Sequence, residues 1–457
     1  MNRLLLLGIV LLLPCSMQLS GQEKVNIDKA DFIIEKEGFK EAWYHVREGD
    51  KLYRLGGGLY PDAVEHYLKA YKFNSENAEL NYKLGVASLF GNDQFGALNY
   101  FLKARSLKTD VAADLVLLTG RAYQFRGDYG RAIDFFNMYS DKLLENGKSD
   151  PEVMRYIKEC NLAIENGLSE DFEIMNLGKN INSESDDYSP VLVKNEQAIY
   201  FTTRRQLSAK DELQGSDYKW NENVYIATAT EGIWDAAGPA GTEVCTPLNE
   251  GVLYVDRDNT YMLLYAGWSG SGDIMRSEFD RGVWRTPESF MDETSTPYRE
   301  TSIALSNDGE EVFFTSDIKK GNAGGRDIYY MRRVKKNKWT KPSNLGPLVN
   351  SGGNEEAVWT SATGDTIWFS SNGLQGYGGY DIFMSVRDIS GQFSEPVNMG
   401  LPVNSQWDDL FYRPSVIDRR EAYFSSNRPG GFGGLDIYHV KKIPAFSRQA
   451  DSTLARY

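Results

Sequence analysis

A chain of 457 residues exceeds what one ordinary hydrophobic core fills, so two domains are the starting expectation. With 27 Tyr, 22 Phe and 43 Gly, the composition favours many short strands joined by turns over a wholly helical protein. A formal net charge of −14 argues against nucleic acid as a partner, because phosphate recognition needs a basic face and no basic patch supplies one.

The chain opens MNRLLLLGIVLLLPCSMQLSGQEK, in which Arg3 precedes an apolar run from Leu4 to Leu13. That run is too short to span a bilayer and reads as an export signal over 1–21, cut after Gly21, which places the mature chain in the periplasm. A competing reading lipidates Cys15, although Pro14 is a poor neighbour for that processing. Nothing later is apolar enough to cross a membrane. Cys160 and Cys245 then remain, in segments assigned to different domains, so neither a disulfide framework nor a thiolate zinc site is expected.

After a lead-in over 22–38, residues 39–168 carry helical periodicity with a recurring set of small and aromatic residues. Gly85, Ala97, Phe101 and Ala104 have the same mutual spacing as Gly120, Ala132, Phe136 and Tyr139. Gly49, Ala63, Tyr67 and Ala70 form an earlier unit with a wider turn around Gly56-Gly57-Gly58. Small residues let two helices approach and the aromatics fill the gap, a pattern that resembles the tetratricopeptide repeat and implies an α-solenoid. A helix in DPEVMRYIKECNLAIENG caps the stack. Such an array binds a partner in its groove or serves as a rigid spacer.

From 171 to 443 the periodicity changes to that of strands. The Ile or Val of each D-I-Y-like element, Val224, Ile274, Ile328, Ile382 and Ile437, recurs at intervals of 50, 54, 54 and 55 residues. Five near-equal units of several short strands predict a five-bladed β-propeller. Each unit divides into four strands, the fourth seeded by GIWD, GVWRTP, NKWTKP and GQFSEP. A tail comes next, NLGPLVNS at 344–351 and NMGLPVNS at 398–405; a similar NLGKNINS stands before the first unit at 176–183, while the fifth lacks a fourth strand. Residues 171–183 are therefore expected to supply that strand and close the ring, with 444–457 a dispensable tail.

These units look like the WD40-like repeats of TolB-type propellers. The order export signal, tetratricopeptide repeats, propeller resembles periplasmic cell-envelope proteins of Bacteroidota, among them the PorE-type family associated with type IX secretion and gliding. The resemblance implies a scaffold or accessory subunit of an outer-membrane protein assembly, peripheral to that membrane, binding protein partners through the solenoid groove and the propeller faces. PorE-type proteins continue into an OmpA-like domain that this sequence lacks, which leaves direct peptidoglycan binding open. The alternative is a sensor or carrier of a small envelope ligand, such as a glycan or peptidoglycan fragment, with Trp220, Trp268 and Tyr377 stacking on sugar rings.

The three histidines, His45, His66 and His439, are scattered in sequence, and neither H-E-x-x-H nor G-x-S-x-G occurs, so no catalytic residue and no enzymatic activity is expected. A carboxylate-based hydrolase is the remaining catalytic option. Asp187, Glu300 and Glu355 lie twelve residues before Ile199, Val312 and Ile367, Asp409 lies thirteen before Ala422, and Glu250 fits most loosely. If innermost strands line the channel, these acids ring one mouth. Their mutual repulsion then requires a cation such as calcium, a basic ligand, or internal hydrogen-bond donors that lock blade to blade. No other cofactor is expected. Asp273, Asp327, Asp381 and Asp436 open the third strands as turn residues, with Gly433-Gly434 supplying positive φ; Asn223 replaces the acid in the first unit.

Overall fold

The computed structural model describes residues 25–443, apart from 92, 210–216, 268–272, 291–298, 320 and 336–337. The expected export signal, the Cys15 site and the C-terminal tail lie outside these residues. Two compact units emerge, one built largely from residues before 166 and the other from those after it.

In the helical unit, α1 (Lys29–Phe32) precedes α2 (Phe39–Leu55) and α3 (Tyr60–Phe73), α4 (Ala78–Phe90) and α5 (Gln94–Leu107), α6 (Leu115–Phe125) and α7 (Tyr129–Glu145), then α8 (Pro151–Asn166). Side chains fix several starts: Asn77, Asp93 and Asp128 accept hydrogen bonds from the N–H groups of Leu80, Gly96 and Arg131. Each pair is closed by one device. A Cβ on Gly49 would lie 2.7 Å from the Tyr67 ring, one on Gly85 2.5 Å from Phe101, and one on Gly120 2.7 Å from Phe136. Only glycine lets these rings lie against the facing backbone. The lead-in is part of this core: Phe32 is fully buried, and Asn74 donates to its carbonyl at 2.9 Å.

Polar residues of the inner helices are buried in pairs. Lys83 reaches Asp50 at 2.6 Å, Tyr67 donates to the same carboxylate, and Tyr82 donates to Asp114. Arg121 and Gln124 both meet Glu159. Helices α4 and α6 are buried along nearly their whole length. Among the described residues no helix is long and apolar enough to cross a membrane.

The second unit is a five-bladed propeller. Its strands are β1 (Phe172–Asn176); β2 (Asp187–Val193), β3 (Ala198–Thr203), β4 (Asn223–Thr230), β5 (Ile233–Trp234) and β6 (Gly238–Pro239); β7 (Asn249–Val255), β8 (Tyr261–Gly267), β9 (Asp273–Asp280), β10 (Val283–Trp284) and β11 (Glu288–Ser289). Then come β12 (Glu300–Leu305), β13 (Glu311–Ser316), β14 (Asp327–Lys335), β15 (Lys338–Trp339) and β16 (Ser343–Asn344); β17 (Glu355–Thr360), β18 (Thr366–Ser371), β19 (Asp381–Val386) and β20 (Val397–Asn398); and β21 (Asp409–Pro414), β22 (Glu421–Ser426) and β23 (Asp436–Lys442). Every sheet is antiparallel, with its strands in chain order except where β1 joins the fifth blade.

The expected fourth strand is broken. In the first three blades two short pieces pair separately with the third strand, and in the fourth an Arg387–Phe393 bridge precedes β20. Pro287, Pro342 and Pro396 fall between the pieces, and a residue without an N–H interrupts a ladder. The ring closes where β1 pairs with β23, from Phe172 opposite Lys442 to Asn176 opposite Tyr438.

Apolar packing lies between blades. One cluster joins Leu263 and Ile274 of the second blade to Phe314 and Met331 of the third, and another joins Ile437 of the fifth to Ile199 and Phe201 of the first. The middle strands are therefore buried on both faces and read as unbroken apolar runs such as AIYFTT.

Candidate functional site

The five carboxylates expected at the channel mouth each stand at the start of an innermost strand, and all are buried. In four blades a Ser or Thr four residues upstream caps the acid. Ser183 donates both N–H and Oγ to Asp187 at 2.7 Å, Ser405 does the same to Asp409 at 2.6 and 2.7 Å, and Ser351 meets Glu355 at 3.0 and 2.6 Å. Thr246 caps Glu250 with the same two groups. From the other side, Ser371 donates to Glu355 at 2.7 Å and Ser316 to Glu300 at 3.1 Å. Arg205 lies 3.0 Å from Asp187 and Arg428 2.5 Å from Asp409.

These acids also tie each blade to the one before it. The N–H of Asp187 donates to the carbonyl of Leu435, that of Glu250 to Glu222, that of Glu355 to Arg326 and that of Asp409 to Tyr380, all at 2.7–2.9 Å. The residue just before each of these acids repeats the link in reverse. Asp186, Asn249, Asn354 and Asp408 accept from the N–H groups of Leu435, Glu222, Arg326 and Tyr380. Among the described residues no three acids, histidines or cysteines form a group able to hold a metal ion.

Burial governs the charge of these groups. It pushes Asp187 up to about 6 against the opposing pull of Arg205, and it raises Glu250 and Glu355 above the usual carboxylate range against their hydroxyl donors.

The turn aspartates lie two strands outward. Asp436 accepts from the N–H groups of Phe432 and Gly433 and from Asn176; Asp381 from Tyr377 and Gly378; Asp327 from Ala323 and Asn344. Asp273 begins β9, and its side chain lies outside the described residues. Gly433 does not supply positive φ as expected; Gly430 does, at +89°. What Gly433 permits is contact, since a Cβ there would collide with the carbonyls of Ser183 and Ser185. Gly324 and Gly378 meet the backbone of the next inter-blade turn in the same way.

The tail motif holds the third strand. Asn182, Asn350 and Asn404 each accept from the N–H and donate to the carbonyl of Ile437, Ile328 and Ile382. Cys245 stands at the corresponding place in the first blade's tail, and its thiol donates to the Val224 carbonyl at 2.7 Å.

Of the aromatics considered for sugar stacking, Tyr377 is buried rather than exposed, Trp220 is half-buried, and Trp268 lies outside the described residues.

Deeper in the ring, every innermost strand carries a register irregularity just after its acid. Ser189, Ala357 and Phe411, each two residues beyond the acid, adopt φ of 55–58°. Such left-handed backbone in non-glycine residues stores strain and re-aims the side chains beyond it. Four residues beyond each acid come Val191, Tyr254, Ala304, Trp359 and Arg413, which pair with Tyr200, Leu263, Phe313, Trp368 and Tyr423 of the middle strands and so form one level of the ring. The Tyr254 and Trp359 rings lie 5.9 Å apart, and the Arg413 guanidinium sits 4.3 Å from the Trp359 ring centre. Sequence reasoning missed this level. Its signal in the sequence is a cation, Arg413, in a column of the repeat whose other members are Val191, Tyr254, Ala304 and Trp359.

No family model and no curated protein matches the chain. Among solved structures it is similar to TolB from Acinetobacter baumannii, at 12% identity over 63% of this chain and 70% of that one, with a TM-score of 0.32. It is also similar to an endo-arabinase from Bacteroides thetaiotaomicron, at 12% identity over 59% and 97% of the two chains and a TM-score of 0.39. An α-L-arabinofuranosidase from Lactobacillus brevis is similar at 12% identity over 56% and 90%, with a TM-score of 0.37. The expectation of no enzymatic activity is corrected by this set, which further includes an N-acetylgalactosamine deacetylase and a periplasmic gluconolactonase. Scattered histidines were a poor criterion, since paired carboxylates suffice for glycoside chemistry.

Proposed function

We propose that the protein is an exported, periplasmic component of an outer-membrane-associated assembly, and that it docks a protein partner on the propeller face opposite the carboxylate mouth. The observation that supports this reading is a repeat of exposed aliphatic residues. Ile233 and Val283 open the short strands that follow the third strand, Val334 is the penultimate residue of β14 and Ile389 follows β19, so all four sit at the hairpin beyond the third strand in successive blades, each more than half exposed. In the fifth blade Val416 and Ile417 project from the first hairpin, at the same end of the strands. Single exposed aliphatics need no explanation, but recurrence at the same hairpin in four blades builds a shared apolar face. The helical unit supports the reading less, because α4 and α6 are buried.

The test is affinity purification of the tagged full-length chain from detergent-treated envelope, alongside a variant carrying Ile233→Asp, Val283→Asp, Val334→Asp and Ile389→Asp. The wild type should retain one outer-membrane partner in fixed stoichiometry, and the variant should lose it while melting normally. Recovery of the wild type alone, or equal recovery of the partner by a folded variant, contradicts the docking face.

A further inference from the structure

Among the described residues, Arg413 is a buried cation without a counter-ion. It is 3% exposed, and among the described residues no carboxylate lies within 4.0 Å of it. The contrast is internal to the ring: Arg205 faces Asp187, Arg428 faces Asp409, and Arg326 pairs with Glu356. The hydrogen bonds of Arg413 are few and long. Its Nη1 donates to the carbonyls of Ala357 and Tyr412, both at 3.3 Å, and its Nε is buried with no partner. A guanidinium carries five donors, and removing its charge from water is costly unless the donors and the charge are both met. Contact with the Trp359 face offsets part of this and supplies no acceptor. Burial lowers the pKa of Arg413 to about 9, which still leaves it charged at neutral pH.

With Nη1 engaged by carbonyls, the edge formed by Nε and Nη2 is left, and that edge presents two parallel N–H groups at the spacing of a carboxylate's oxygens. At this level Val191 of the adjoining first blade and Ala304 across the ring are small, while Tyr254 and Trp359 contribute apolar rings. The fit is to a planar carboxylate more than to a tetrahedral phosphate, because the guanidinium edge is flat and the aromatic neighbours favour an organic body over a bare hydrated ion.

We propose that the propeller ring binds a small organic carboxylate at Arg413, bidentate on the Nε–Nη2 edge and flanked by Trp359 and Tyr254. This goes beyond partner docking, involves different residues, and stands or falls separately from it.

Calorimetric titration of the full-length protein with acetate and with glucuronate, against their neutral counterparts acetamide and glucose, tests the proposal. The carboxylates should bind and the neutral compounds should not. Arg413→Met should abolish the heat, and Arg413→Lys should weaken binding at least tenfold, since an ammonium cannot offer two parallel donors. If Arg413→Met fails to fold, Trp359→Phe serves instead: the wild type should change its tryptophan emission on carboxylate binding, and this variant should keep the heat and lose the emission change. No heat with either carboxylate, undiminished binding by a folded Arg413→Met protein, or an unaltered emission change in Trp359→Phe overturns the site. Binding of inorganic phosphate in place of both carboxylates overturns the assigned ligand class.

Discussion

At the residue scale, the repeated motifs are joinery, and the cost of removing one member depends on the groups it satisfies. Asn404 holds both the N–H and the carbonyl of Ile382 in a fully buried place. Asn404→Ala leaves the buried Ile382 N–H unmet, while the Ile382 carbonyl keeps the Met399 N–H at 3.1 Å, so urea unfolding should show a loss of roughly 1–3 kcal/mol. Asp187 behaves oppositely to a paired surface acid. Its folded pKa of about 6 lies above its ordinary value of 3.8, so the protonated form is the one folding favours. That contribution is complete below about pH 4 and is lost as pH rises through 6, a change of about 3 kcal/mol at most. Asp187→Asn should flatten the pH dependence of the melting temperature between pH 4 and 6.5; an unchanged slope would place the titration elsewhere. The spacing of the acids was legible in the sequence because the repeat is. Their partners were not, since Ser183, Ser351 and Ser405 look like ordinary turn residues until the backbone brings them under a carboxylate.

At the scale of the element, the blade boundaries could be read from apolar runs, because a strand buried on both faces leaves a continuous signal. The fourth strand misled for a physical reason: its apolar seed and its tail both pair with the third strand, yet in the second, third and fourth blades a proline between them forbids one ladder. Gly378 tests how tightly adjoining blades meet. A Cβ there would collide with backbone atoms of Gln406 and Trp407, which cannot rotate away. Gly378→Ala should destabilise the propeller by more than the few tenths of a kcal/mol typical of exposed positions, whereas Gly352→Ala, whose Cβ would meet nothing within 4 Å, should be nearly neutral. Closure makes a sharper case. Excising Phe172–Asn176 uncovers the whole edge of β23 and unpairs the outermost position of the fifth blade. That deletion should lower the melting temperature and produce aggregation that rises with protein concentration.

At the scale of the molecule, the described residues of each unit contain one buried thiol, and the pair reports on how the chain comes apart. Cys160 lies in α8 with no exposed surface, and burial pushes its thiol up to about 12; Cys245, in the propeller, is also raised by burial and donates to a carbonyl. Thiolate is the reactive form, so both should resist a thiol-labelling reagent at pH 8 while the fold is intact. Apolar clusters span successive blades, including the fifth and the first, so no single blade has a core of its own. The ring is therefore expected to open as one cooperative unit, and Cys245 should become reactive at the same denaturant concentration at which β-sheet circular dichroism is lost. Cys160 should instead track the helical signal, whose core is made by contacts between successive helix pairs. Labelling each cysteine in a variant with the other replaced by serine, across a urea series, separates the two. Reaction of Cys245 well before the sheet signal falls would mean that a blade detaches by itself, and the cooperative ring would have to be abandoned.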